Sequence, residues 1–406
     1  MSKQVKKPGR IRAAILNWFG VPASYTGGTV AAPSDTGITV TQDKMLTISA
    51  VWACARLISE TIATLPLSMY ERTSAGKRVA TQHPLQMIIH DQPNADTTAA
   101  VHWEATVAAM LLHGNARAEK LMRGNRLVGL QFLAPQRLVA QHLGQGRYQW
   151  RYTEDDGTQR IIPESRIWNI PGFSLDGKCG VSVVQYGAQV FGGALAADQA
   201  ANSMFKNGLL PSVYYKMERI LTPEQRKQFR ENLQEITGAI NAGKSPLLEG
   251  GMEAGTIGIN PDDAQLLESR GFSVEEVCRW FRVPPFMVGH SEKSTSWGTG
   301  IEQQMIGFLS FTLGPWLRRI EQAISKDLLS PAERRRYYAK FNVEGLLRAD
   351  SQARAQFYSS MVNNGIYTRD EVRELEDREP RGGNADVLTV QTALAPLDQL
   401  GQTPQD

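Results

Sequence analysis

A chain of 406 residues that is 42% hydrophobic and carries a formal net charge of +3 has the material for a large buried core and two or three domains. The near-neutral balance does not imply a general nucleic-acid coat. Three cysteines far apart in the sequence, Cys54, Cys179 and Cys278, make no metal-ligand spacing and no disulfide framework, which fits a reducing cytoplasm. No apolar run approaches the ~18 residues of a membrane span.

The start, MSKQVKKPGRIRAAILNWFG, has five basic residues by Arg12 and then a short apolar patch. It is too short and poorly shaped for a secretory signal and reads as a flexible basic arm, or as an arm that touches a partner or nucleic acid. Residues 20–44, rich in Gly, Ser, Thr and Ala, read as a poorly ordered linker. A helix is predicted from about Ser49 to Ala63, with Val51, Ala55, Ile58 and Ile62 on one face, and Pro66 ends it. PLSMYERT follows as a strand leading to a turn at Ser74, Ala75 and Gly76. HPLQMIIHDQPN reads as a short helix stopped before Pro93, and a second amphipathic helix runs from about Ala99 to Leu112, ending near Gly114. Five strands come next: ARAEKLMR, LVGLQFLAP, RLVAQHL, YQWRYTE and RIIPESRIWNIPG, with a hairpin turn at Asp155, Asp156 and Gly157. Helices mixed with strands in this way give an α+β class.

A helix of small residues is expected over Val183 to Asn207, then a strand, LLPSVYYKM. From Leu221 to about Ile240 a helix has a clear start, with Thr222 as N-cap, Pro223 as first helical residue and Gln225 as reciprocal cap. Its apolar stripe, Phe229, Leu233, Ile236 and Ile240, is narrow. The remaining surface is balanced between Glu224, Glu231 and Glu235 and the bases Arg226, Lys227 and Arg230. GKSPLLEGGMEAGTIGINPD reads as short strands or turns. Ser273 with Glu276, and Phe272 packing on Val277, read as the capped and stapled start of a helix that ends at Val283, Pro284 and Pro285. A polar, glycine-bounded loop, GHSEKSTSWGTG, precedes what reads as one long helix over 301–329. Gaps of three and four between Ile301, Met305, Phe308, Leu309, Leu313, Leu317, Ile320 and Ile324 give it one apolar face, and it would be roughly 40 Å long. Pro315 lies in its middle, lacks a backbone donor and crowds the carbonyl of Phe311, so a kink is expected there. A strand and two helices follow, with Thr368 and Glu371 as another capping box, and the last ten residues read as disordered.

One enzyme motif matches in full: Gly238 to Ser245 fits G-x-x-x-x-G-K-[ST]. A phosphate loop follows a buried strand and opens a helix. Here a charged helix precedes it, and Pro246 and Gly250 follow, so Gly243 and Lys244 read better as a helix end. The histidines, His83, His90, His102, His113, His142 and His290, show no metal pattern and read as helix-face or loop residues. Asp155–Asp156 and Asp262–Asp263 read as turn and helix-start residues. Arg334, Arg335 and Arg336 read as a solvated run that could instead meet an acidic neighbour or phosphate. Trp280 and Phe281 read as core or seam.

Taken in order, AVWACARLISETIATLPLSMYER, HPLQMIIHDQPNADTT, LLHGNARAEKLMRGNRLVGLQFLAPQRLVAQ, DDAQLLESRGFSVEEVCRWFRVPPFMVG and GIEQQMIGFLSFTLGPWLRRIEQAISKDLL resemble the HK97-like portal proteins of tailed bacteriophages. The resemblance covers most of the chain. It implies an α+β portal fold assembled as a ring around a central channel. By it, an arm over 1–44 precedes a wing (45–218), a first stem helix (219–243), a clip (244–261), a second stem helix (262–285) and a tunnel loop (286–299). The long kinked helix and return strand of the wing (300–343) and a crown with a tail (344–406) complete it. It also implies a non-enzymatic dodecamer, assembled in the host cytoplasm and found at one capsid vertex of the virion, with no cofactor, metal or membrane. Its implied partners are further copies of itself, the major capsid protein and scaffold, the large terminase, a head-completion or adaptor protein, and double-stranded DNA in the channel. The channel candidates carried over are Ser291, Glu292, Lys293, Ser294, Thr295, Ser296 and Trp297 in the loop. Arg226, Lys227, Arg230, Glu231 and Glu235 are the candidates on the stem wall, and Pro315 is the residue that positions the loop. Two rival readings are a nucleotide hydrolase acting through Gly243, Lys244 and Ser245, and a monomeric adaptor module.

Overall fold

The computed structural model describes residues 31–74, 76–144, 147–206, 213–216, 222–227, 253–256, 263–290, 299–343, 351–376 and 378–390. The chain divides into two compact units, Met1–Phe341 and Asn342–Asp406.

The first unit begins with a hairpin, β1 (Ala31–Pro33) and β2 (Thr39–Thr41), and a short helix, α1 (Gln42–Leu46). This part of the expected linker is therefore folded. Ala32, Val40 and Met45 turn inward and are buried, and Gly37 makes the turn at φ +78°. The small residues that suggested disorder are what permit close approach: a Cβ at Gly192 would lie 2.4 Å from the Cβ of Ser34.

Helix α2 (Ser49–Ala63) buries the expected stripe. It is followed by β3 (Leu67–Thr73), β4 (Gly76–Val79), α3 (Pro84–His90) and α4 (Ala99–His113). Thr98 caps α4 by accepting from the Val101 amide, and Gly114 ends it in the left-handed region at φ +80°. A side chain there would also strike the Val181 backbone at 2.5 Å, so both conformation and space require glycine.

The strands form small antiparallel sheets. In one, β5 (Asn115–Arg123) lies between β6 (Arg126–Phe132) and β10 (Ile167–Pro171). In another, β8 (Arg147–Thr153) lies between β7 (Leu138–Gly144) and β9 (Gln159–Pro163), over a core of Leu133, Leu138, Trp150, Tyr152 and Ile162. The stretch read as one strand, RIIPESRIWNIPG, is thus two strands in different sheets. Pro163 cannot continue a ladder, and a 3-10 turn, Glu164–Arg166, carries the chain across.

The helix expected over 183–207 is broken at Gly187 into α5 (Val183–Tyr186) and α6 (Ala188–Lys206). Strand β11 (Val213–Lys216) pairs with β12 (Glu253–Thr256). At 222–227 the reciprocal caps form as predicted: Thr222 N donates to Gln225 Oε1 (3.1 Å) and Gln225 N to Thr222 Oγ1 (3.4 Å). Helix α7 (Asp263–Phe281) corrects the capping assignment at Ser273. It begins ten residues earlier and runs through Gly271, so Ser273 and Glu276 are an i,i+3 pair inside it rather than its start. Then come α8 (Thr299–Gly307), a π-helical stretch (Phe308–Leu313), α9 (Gly314–Asp327), α10 (Glu333–Arg336) and β13 (Tyr337–Phe341), which pairs with β3.

Trp103 on α4 is where these pieces converge. Its ring meets Trp168 of β10 edge-on (6.3 Å) and Phe341 of β13 (6.5 Å), and its Nε1 donates to the Ile89 carbonyl of α3 (2.9 Å). Edge-to-face packing with a satisfied indole N–H is a favourable way to bury tryptophan. In the second unit, α11 (Ser351–Asn363) and α12 (Arg369–Leu375) are tied by Tyr358 donating to Glu376 (2.8 Å). The Thr368–Glu371 capping box forms as predicted.

Next to Trp103, His102 is 2% exposed, and neither ring nitrogen has a hydrogen-bond partner. Burial pulls its pKa down from 6.5 to about 4. The unfolded chain therefore takes up a proton that the folded chain refuses. This stabilisation is fully present above about pH 6.5 and lost as pH falls towards 4, a change of roughly 3 kcal/mol for this group. His113, also lowered to about 4 by burial, adds a second contribution. His102→Leu should flatten the fall in unfolding temperature between pH 6.5 and 4 by about half; an unaltered slope would show that His102 is not an acid-sensitive group.

Candidate channel elements and the groove beside them

The chain must reverse after α7, and the sequence arranges this with one strained residue and two prolines. Arg282 takes φ +57°, the only non-glycine with positive φ among the described residues. This left-handed residue costs of order 1 kcal/mol or more. It turns the Arg282 carbonyl towards the π-helical stretch, where the Thr312 hydroxyl donates to it at 2.5 Å. Pro284 and a 3-10 turn, Pro285–Val288, then lead to Gly289 at φ +83° and to His290, whose Nε2 lies 3.7 Å from Glu275 of α7.

The expected loop residues Ser291, Glu292, Lys293, Ser294, Thr295, Ser296 and Trp297 lie outside the described residues, as do Arg230, Glu231, Glu235 and the Gly238–Ser245 motif. Glu224, Arg226 and Lys227 are described and exposed, on the first turn of their helix.

The single α-helix expected over 301–329 is corrected to three parts. Between α8 and α9 the chain widens into the π-helical stretch, and Gly314 N donates to the Leu309 carbonyl five residues back. The physical reason is Pro315. In a regular α-helix its ring would press on the Phe311 carbonyl, and its missing N–H would leave that carbonyl unpaired. One wider turn before it moves the carbonyls out of register with the ring. The apolar face is also shorter than the spacing implied. Leu317, Ile320 and Ile324 are buried on α9, which packs on β13 and β10, and Phe308 and Leu313 are buried in the π-helical stretch. Met305 and Ile306 on α8 are nearly half exposed.

Beside this junction is a groove of about 670 Å³ between the end of α4, α5, the end of α7 and the start of α9. Its walls carry Phe173, Tyr186, Trp280, Pro315, Trp316 and Arg319. Arg319 donates to the Gly172 carbonyl at 2.6 Å. Trp280 and Phe281, read together as core or seam, separate: Phe281 is buried, whereas Trp280 sits on the groove edge, 6.0 Å from Phe191. Helical spacing could have suggested this, because adjacent residues of a helix point about 100° apart.

Two further points differ from the sequence reading. Cys54 on α2 and Cys278 on α7, far apart in sequence, are buried with their Sγ atoms 4.0 Å apart, and that contact together with burial pushes the Cys54 thiol up. The arginine run is in part structural. Arg336 and Arg78 both pair with the buried carboxylate of Glu71 and hold it below the usual range, and Arg334 donates to the Leu329 carbonyl. Among the described residues no group of histidine, cysteine and carboxylate side chains could hold a metal ion, and no helix is long and apolar enough to cross a membrane.

The family model for the phage portal protein matches residues 49–377. The portal protein of Enterobacteria phage HK97 is 33% identical over 402 residues, covering 95% of this chain and 94% of that one. The probable portal protein of Streptomyces phage phiC31 is 34% identical over 373 residues, 88% of this chain and 80% of that one. Among solved structures, an HK97 family phage portal protein from Corynebacterium diphtheriae superposes with a TM-score of 0.57 at 17% identity, covering 79% of this chain and 99% of that one. A chain from the neck of the native gene transfer agent particle, computed with C12 symmetry, superposes at 0.56 with 23% identity, covering 90% and 99%. These matches along nearly the whole length lead to one conclusion: this chain belongs to the phage portal protein family.

Proposed function

We propose that twelve copies of this chain, as in the C12 neck of the gene transfer agent, close into a ring at one capsid vertex, through which double-stranded DNA enters and leaves the head. Membership of the portal family along 49–377 carries this reading. The ring is a structural part of the virion; the ATP hydrolysis that drives packaging belongs to a large terminase that docks on it. The major capsid protein and scaffold surround it during assembly, and a head-completion protein binds later.

The physical demand on such a channel is passage without grip. A wall that neutralised many phosphates with Lys and Arg would hold DNA with a steep salt dependence. The stem stretch answers this with balance: Glu224, Glu231 and Glu235 against Arg226, Lys227 and Arg230. The loop carries one Glu292 and one Lys293. In this reading Ser291 to Trp297 of every copy together form the constriction. The Thr312–Arg282 hydrogen bond ties the two chain directions that lead into and out of that loop, and the π-helical stretch before Pro315 sets the direction of α8.

Deleting Glu292 to Trp297 should leave rings intact and reduce the fraction of DNA-filled heads, counted by electron microscopy; normal filling would remove the loop from the mechanism. Thr312→Val keeps the shape but loses the bond to Arg282, and should cost about 1 kcal/mol in urea unfolding. Pro315→Ala removes the reason for the wide turn. The α-helix should become locally more stable, by up to ~3 kcal/mol, while filled heads fall because α8 leaves the junction in a different direction. Normal packaging by this variant would show that the turn does not position the loop.

A further inference from the structure

Two apolar surfaces of the first unit are exposed among the described residues, and they differ in shape. One is concave. The groove beside the α7 end exposes Phe173 (58%), Leu175 (64%) and Tyr186 (53%), with Trp280 on its edge and Arg279 and Arg282 beside it. Tryptophan, tyrosine and arginine around an apolar pocket are the residue types that dominate binding energy at protein interfaces. The other is convex. In the last turn of α8 all four side chains from Gln303 to Ile306 are exposed, Met305 at 45% and Ile306 at 46%. One turn on, Phe311 in the π-helical stretch is 70% exposed. Met305, Ile306 and Phe311, three large apolar side chains in water within seven residues, are the kind of surface that marks an interaction site.

The symmetry of the assembly identifies what covers it. Cyclic rings are built from heterologous contacts, in which one patch of a subunit meets a different patch of the next identical subunit. A ring-forming chain therefore needs two different patches that complement each other, and this chain exposes a concave apolar one and a convex apolar one. They are also close in sequence: α8 and the π-helical stretch supply the projection, and Thr312, Pro315 and Trp316 immediately after them line the groove. Equivalent points on neighbouring copies draw together as the ring axis is approached, so elements beside a channel loop can reach across subunits.

We propose that the α8 end and Phe311 of one copy seat in the aromatic groove of the adjacent copy, and that this contact is part of the subunit interface next to the channel. The occupant is a second copy of this chain. The proposal rests on the portal-ring reading above and adds to it which surfaces meet.

The test is a cysteine pair, Tyr186→Cys with Ile306→Cys, in the full-length protein, assembled and then exposed to a mild oxidant such as oxidised glutathione. Each disulfide formed removes two electrons and two protons from the thiol pair and passes them to the oxidant. The expected result is a ladder of covalent multimers on a non-reducing gel, formed by assembled rings of the double variant and absent from either single variant and from unassembled protein. Intact rings without a ladder overturn the proposal. A second arm uses Met305→Glu with Ile306→Glu, which alters only exposed side chains. It should shift native mass from ring to monomer while the monomer keeps its circular dichroism and unfolding temperature. Normal rings from that variant, or a groove covered instead by a head-completion protein with α8 free, also overturn it. If the wild-type chain forms no ring at all, the portal-ring reading itself fails, a result distinguishable from the first two.

Discussion

Near the channel elements the structure depends on one hydrogen bond, from the Thr312 hydroxyl to the Arg282 carbonyl. It joins the point where α7 stops to the point where the return helix is widest. Arg282 pays for the reversal with a left-handed backbone, and the bond, with Pro284 and Pro285 behind it, offsets part of that strain. Behind the junction α9 lies on β13 and β10, both of which meet Trp103. The hydrogen bond thus anchors the end of α7 and the π-helical stretch to a packed core, while α8 itself is solvated.

Much of this was legible in the sequence, for a physical reason that also marks its limit. Helices α2 and α9 each bury one stripe, so the three-to-four spacing of Ile58 and Ile62, or of Ile320 and Ile324, reports them directly, whereas the amphipathic reading of α4 fails in its last turn, where Ala109, Met110, Leu111 and Leu112 are all buried. Caps at Thr222 and Thr368 are local and were read correctly. Composition misled at 31–44, where small residues permit close packing against Gly192 instead of disorder. Ser273 misled because the same S-x-x-E spacing occurs at helix starts and inside helices. Pro315 signalled an interruption, yet whether a helix answers proline with a bend or a π turn depends on the tertiary contacts of Thr312 and Leu313. The Cys54–Cys278 contact and the aromatic groove join residues hundreds of positions or several elements apart, and no local pattern encodes them.

In the proposed ring, the groove exposed among the described residues, the solvated α8 end and the charge balance of the stretch from Glu224 to Glu235 have a common origin. A subunit of a ring is not a complete folding unit in the sense that a monomeric enzyme is: part of its apolar surface is reserved for its neighbours, and part of its polar surface is reserved for a ligand that must slide. In the proposed portal ring that division would account for the exposed apolar side chains of the described residues.

The most direct measurement of the account is the rotational symmetry of the purified, full-length protein by electron cryomicroscopy. Closed rings with an open axial channel, with the 291–298 segment of each copy turned towards the axis, are the predicted result. A monomer, or a closed oligomer whose axis is filled and whose 291–298 segments face outward, would contradict it.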